Sequence, residues 1–96
     1  MKKAIYRVSF TARFKRDYKL AKKQNRDMSL LDKAIEILAS GESLPESYKD
    51  HPLSGNWKGH RECHILPDWL LIYRIEHQIL VLTLTRTGTH SDLFNE

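Results

Sequence analysis

The chain has 96 residues, of which 41% are hydrophobic and 29% charged, and its formal net charge is +4. That length suits one compact domain and leaves no room for a second core, so residues 1–96 are expected to form a single α+β domain. Nothing approaches the roughly 20 consecutive apolar residues of a membrane span, and a lone cysteine, Cys63, excludes an internal disulfide.

The first residues are charged but are followed by no signal-peptide core, which points to a cytoplasmic protein. Residues 4–10 are rich in β-branched and aromatic types and predict a first strand. Thr11 is placed to cap a helix in which Phe14, Tyr18 and Ala21 recur at helical spacing. Its other faces are basic, and Lys and Arg crowd this part of the chain up to Arg26. A basic run by itself reads as a solvated face, and the net charge makes a polyanionic partner plausible without establishing one. A second helix carries Leu31, Ala34, Ile35 and Leu38 on one face and ends before Gly41.

Residues 42–60 are dominated by Gly, Ser, Pro, Asn and Asp. A connection of this length in so small a domain is functional or disordered, and Tyr48, His51, Leu53 and Trp57 are available to anchor it as an ordered loop. Three strands then follow: Arg61 to Leu66, Asp68 to Ile75, and Ile79 to Arg86, with Glu76-His77-Gln78 as a turn. The middle one is apolar on both faces, as a central strand should be. The pattern is βααβββ, a mostly antiparallel sheet with both helices on one face.

With helices on one face, the other face and the strand ends are free for a ligand. Alternation places His64 on the same face as Glu62, and Arg86 on the same face as Leu80, Leu82 and Leu84. Asp68 opens the central strand, and His90 follows the Gly88 turn. Singly each is bland: His60 and His77 read as structural histidines, and Arg86 could be an ion-pair partner of Asp68. Together, an acid–base pair of histidines with an Asp and an Arg is what phosphodiester cleavage needs. Histidine titrates near neutrality, and the planar guanidinium meets two phosphate oxygens while keeping its charge. His60-x-x-Cys63-His64 superficially suggests metal ligands. But Cys63 and His64 are adjacent in a strand and point to opposite faces, so no metal site and no cofactor are expected.

Three blocks carry a resemblance: Tyr48-Lys-Asp-His-Pro-Leu-Ser-Gly-Asn-Trp-Lys-Gly59, Arg61-Glu-Cys-His-Ile-Leu-Pro-Asp-Trp-Leu-Leu-Ile-Tyr73, and Arg86-Thr-Gly-Thr-His-Ser-Asp-Leu-Phe94. In that order they are similar to the YafQ branch of the RelE superfamily of toxins. The resemblance implies an endoribonuclease acting on mRNA in the ribosomal A site, without a metal, and silenced by an antitoxin. It assigns catalytic positions to His51, His64, Asp68, Arg86 and His90, and substrate contact to Phe94. His90 is the expected general acid; Asp68, assisted by His51 and His64, stands on the base side; Arg86 is the phosphate clamp; Trp69 is packing support. Lys15, Lys19 and Lys22 of the first helix are the expected electrostatic contacts to RNA or ribosome. The expected partners are mRNA, the ribosome and an acidic antitoxin, with no membrane; the toxin alone would be monomeric and a hetero-oligomer with its antitoxin. The alternatives are a ParE-like toxin that binds a protein target without cutting RNA, and a simple basic RNA-binding domain.

Overall fold

The computed structural model describes residues 3–94. The chain runs β1 (Arg7–Phe10), α1 (Ala12–Lys23), α2 (Met28–Ala39), β2 (His51–Pro52), β3 (Arg61–Leu66), β4 (Trp69–Glu76), β5 (Val81–Gly88) and α3 (His90–Phe94). Single 3-10 turns at Glu46–Tyr48 and Gly55–Trp57 shape the long connection.

One side chain both ends β1 and starts α1. Thr11 Oγ1 accepts the Phe14 N–H at 3.0 Å, capping the helix, and donates to the Thr85 carbonyl of β5 at 2.7 Å. Asp27 caps α2 by accepting from the Ser29 N–H at 3.1 Å. Gly41 closes α2 at φ +80, a conformation that costs a glycine nothing. The first strand is shorter than the expected 4–10. The amides of Ile5 and Tyr6 both donate to the Ala39 carbonyl at the end of α2, so these residues are taken from the sheet to satisfy a helix terminus.

The sheet order is β1-β5-β4-β3-β2, with β1 parallel to β5 and the other pairs antiparallel. Two elements go beyond the expected βααβββ. The strand β2 forms inside the predicted loop because His51 and Pro52 pair with Glu62 and Arg61, and α3 follows β5. The last strand is also displaced from the expected 79–86. Ile79 and Leu80 are spent in the turn, where Leu80 takes a positive φ of 53, and the ladder continues to Gly88.

Both long helices cover one face of the sheet. Phe14, Ala21, Leu31, Ala34 and Leu38 pack there against Cys63, Ile65, Trp69, Leu71, Tyr73, Leu82 and Leu84. The other face was expected to be free, but part of it is not. Leu70 and Ile72 are buried there under Leu93, with Leu53, Trp57 and Phe94 around them. A central strand that is apolar on both faces needs this second cover, and α3 and the 53–57 segment supply it. Beyond that roof, the same face carries the polar residues of β2 and β3. Among the described residues no helix is long and apolar enough to cross a membrane.

Candidate functional site

The segment before β2 is fixed by a half-buried polar anchor. Asp50 accepts from Arg61 Nε at 2.9 Å and from the Tyr73 hydroxyl. Burial, reinforced by the Asp50 carboxylate, holds the Tyr73 hydroxyl far above its ordinary range, so it stays protonated and donating. This clamp sets the next residue, His51, against β3. Lys49, at φ +50, turns the chain so that its carbonyl lies 2.9 Å from His51 Nδ1.

His51 pairs in register with Glu62, and His64 lies two residues further along the same face. Their rings are 6.5 Å apart, and Glu62 Oε1 stands 3.5 Å from His51 Nε2 and 3.7 Å from His64 Nε2. Glu62 is only 4% exposed. His64 Nδ1 is 3.3 Å from the Pro67 carbonyl. A carbonyl can only accept, so in both rings Nδ1 bears a hydrogen, and Nε2 is the nitrogen that faces the Glu62 carboxylate. A proton taken up at either Nε2 would meet a buried carboxylate beside it.

Across the sheet the ladder aligns Glu62 with Ile72 and Ile72 with Arg86; the next row is His64, Leu70 and Gly88. Gly88 is two strands from His64, about 10 Å at ordinary strand spacing. The Arg86 side chain does not follow the alternation expected for β5. A bulge at Thr85, between the pairs Ile72–Arg86 and Tyr73–Leu84, turns Arg86 to the face opposite Leu82 and Leu84. Nor does Arg86 pair with Asp68. Its Nε and Nη2 donate to Asp17 of α1, each at 3.0 Å. These hydrogen bonds raise the guanidinium above its ordinary pKa.

His90 begins α3. Thr89 and Asp92 cap that turn reciprocally: Thr89 Oγ1 accepts the Asp92 N–H at 3.1 Å, and Asp92 accepts the Thr89 N–H at 3.1 Å. His90 is exposed, and the i, i+4 spacing stacks it on Phe94 with ring centroids 4.8 Å apart. Phe94 in turn meets Trp57 edge-on at 6.2 Å.

The fold thus brings His51 and His64 together and sets Arg86 and His90 at the far end of the same three-strand span. Asp68 lies exposed in the Pro67-Asp68 turn beside the carbonyl that holds His64, outside the histidine–glutamate cluster. Lys15, Lys19 and Lys22 are exposed on α1, in the opposite layer; Lys15 and Lys19 line a cleft with Val8, Phe10, Phe14 and Ile35. Cys63 is buried under the helices and His64 is on the other face, as alternation requires. Among the described residues no group of His, Cys, Asp or Glu is arranged to hold a metal. Two residues were not singled out from sequence. Glu62 had a signal, since it shares a face with His64; Asp17 had only that of a lone acid in a basic helix.

This α+β fold with its strand-end histidines is that of a RelE-like toxin domain. The family model described as a bacterial toxin of type II toxin–antitoxin systems, YafQ, matches residues 6–95, and the chain belongs to that family. The mRNA interferase toxin YafQ of Escherichia coli K12 is 42% identical over 88 residues, 91% of this chain and 94% of its own length. The E. coli DinJ–YafQ toxin–antitoxin complex contains a chain 41% identical at TM-score 0.86, covering 94% of this chain and 98% of that one. A metal-bound toxin from Helicobacter pylori is 43% identical at TM-score 0.87, over 93% and 99%.

Proposed function

We propose that the protein is the toxin of a type II toxin–antitoxin pair and an endoribonuclease that cuts mRNA, on the ribosome, without a metal. The observation that carries this reading is the pair of histidines, each with Nε2 directed at one buried carboxylate, on the face that ends in His90 and Arg86. Membership of the YafQ family and the name of the E. coli relative support the same reading.

In this mechanism an Nε2 of the His51–Glu62–His64 cluster takes the proton of a ribose 2′-OH. The 2′-oxygen forms a bond to the adjacent phosphorus, the bond to the 5′-oxygen breaks, and His90 protonates that leaving oxygen. Glu62 stabilises the imidazolium formed on the base side, and the fixed charge of Arg86 stabilises the extra negative charge of the phosphorane. Asp68 contributes a rim carboxylate on the base side rather than the base itself, since it lies in the turn outside the histidine–glutamate cluster. Phe94 offers a ring for a base to stack on. The partner is an acidic antitoxin, complementary to the +4 charge.

Cleavage is expected to continue in excess EDTA and to leave a 2′,3′-cyclic phosphate and a free 5′-hydroxyl; an RNA with 2′-O-methyl at the cut site should resist. Incubation with RNA and with translating ribosomes, followed by mapping of product ends, tests this directly. Loss of cleavage on chelation, restored by added metal, would overturn the metal-free route. Absence of cleavage from both substrates would leave a non-nuclease toxin.

Lys15, Lys19 and Lys22 are assigned to binding rather than to chemistry. Neutralising all three should reduce the slope of log affinity against log salt by up to about 2–3 and leave turnover of bound substrate nearly unchanged. Equal slopes for the two proteins would return α1 to the role of a solvated face.

A further inference from the structure

We infer that Asp17 is a positioning residue for cleavage, holding the Arg86 guanidinium in the one orientation that presents its free edge to the scissile phosphate. The inference rests on the proposed role of Arg86 as phosphate ligand. Asp17 makes more contacts than a chance surface ion pair. It accepts from Arg86 Nε and Nη2 at 3.0 Å each, and from the Thr87 backbone N–H at 3.1 Å. Both side chains are largely withdrawn from water, at 16% exposure for Arg86 and 13% for Asp17.

The surrounding architecture explains the contact. β1 stops pairing with β5 at Phe10–Leu84, so the edge of β5 beyond Leu84 is met by α1 instead of a strand. The Thr85 bulge turns Arg86 at that point, and the Thr11 hydroxyl bonded to the Thr85 carbonyl pins the start of α1 to the bulge. Asp17, a turn and a half further on, then reaches Arg86. α1 (Ala12–Lys23) contains no other acid, so a carboxylate here is the exception in a helix otherwise built of cations.

The chemistry of the guanidinium gives the contact its consequence. Arg has five N–H donors in a rigid plane. Asp17 occupies Nε–H and one Nη2–H, leaving one Nη1 hydrogen beside Cδ, and the second Nη2 hydrogen with the other Nη1 hydrogen on the end edge. That edge suits two phosphate oxygens. A guanidinium without its Asp17 partner would rotate among several rotamers and meet the phosphate in a fraction of them. The loss would fall on the transition state, where geometry is most demanding, more than on binding.

The test is a double-variant cycle on RNA cleavage with the full chain. Asp17→Asn keeps the shape but removes one acceptor; it should lower kcat by about 10- to 100-fold with KM changed little. In an Arg86→Ala background the same substitution should have no further effect, because the group it orients is gone. An Asp17→Asn protein that cleaves at the wild-type kcat, or effects that simply multiply in the double variant, would overturn the inference. The outcome is separable from failure of the underlying reading: if Arg86→Ala itself cleaves at full rate, Arg86 is no phosphate ligand and the positioning role falls with it. A second measurement needs no active variant. The Arg86 Nε–H resonance should be sharp and slow to exchange in the native protein and lost in Asp17→Asn; a rapidly exchanging native signal would also overturn the inference.

Discussion

His90→Ala and Arg86→Ala should each lower the rate of RNA cleavage by about 10² or more, the size expected for loss of a general acid or of a charge aimed at the transition state. The two should differ in stability. His90 is exposed at the start of a short helix, so its removal leaves the melting temperature near that of the native chain. Removing Arg86 leaves Asp17 with an unpaired, largely buried charge, and a cost of about 1–3 kcal/mol is expected. His77→Ala is the control. His77 sits beyond the other end of β4, in a turn, bonded through Nδ1 to the Tyr6 hydroxyl at 3.0 Å. Its loss should leave cleavage near native. Steady-state cleavage of a defined RNA, with melting curves for each variant, reads all of this. A damaging His77→Ala with a harmless His90→Ala would place the site at the wrong end of the sheet.

Trp69→Ala should be the most damaging change to stability. Trp69 is fully buried, its indole N–H donates to Thr87 Oγ1 at 3.0 Å, and the Arg26 guanidinium lies 5.2 Å from the ring centroid. Thr87 Oγ1 then donates to the Leu70 carbonyl at 2.7 Å, so the ring holds the end of β5 next to the site. Truncation of a buried Trp costs about 3–5 kcal/mol. In a chain of this size each kcal/mol shifts melting by about 4–8 °C, so a drop of roughly 12 °C or more is expected. Trp69→Phe, which keeps most of the volume but loses the N–H, should cost less. Denaturant unfolding of both variants checks the order, and a near-native midpoint for Trp69→Ala would remove the ring from its place in the core.

The strongest local signals in the sequence are those with a short-range physical cause. Thr11 and Gly41 mark helix ends because a cap and the left-handed conformation depend on one or two residues. β3 falls at 61–66 as expected because Pro67 ends it. Period-two alternation correctly separates Cys63 from His64, since side-chain direction in a regular strand depends on nothing else. The same rule misplaces Arg86, because a single extra residue at Thr85 reverses direction, and no sequence signal marks that bulge. β2 is equally hidden: two residues inside a polar loop become a strand only because β3 offers a free edge and Asp50 anchors the approach. α3 is hidden as well: five residues are too short to register by periodicity, and its Thr89–Asp92 cap emerges only in the structure.

By itself the sequence determines the α+β layering, the positions of the two long helices and the group of residue types from which a site could be built. Those follow from hydrophobic periodicity, caps and side-chain chemistry, all read within a few residues. The tertiary structure decides which of them meet. It places Glu62 between His51 and His64, leaves Asp68 at the rim, and binds Arg86 to Asp17 rather than to Asp68. Arg86 and Asp17 are 69 residues apart in the chain, and a contact at that separation is set by how β5 and α1 pack, which no local pattern encodes.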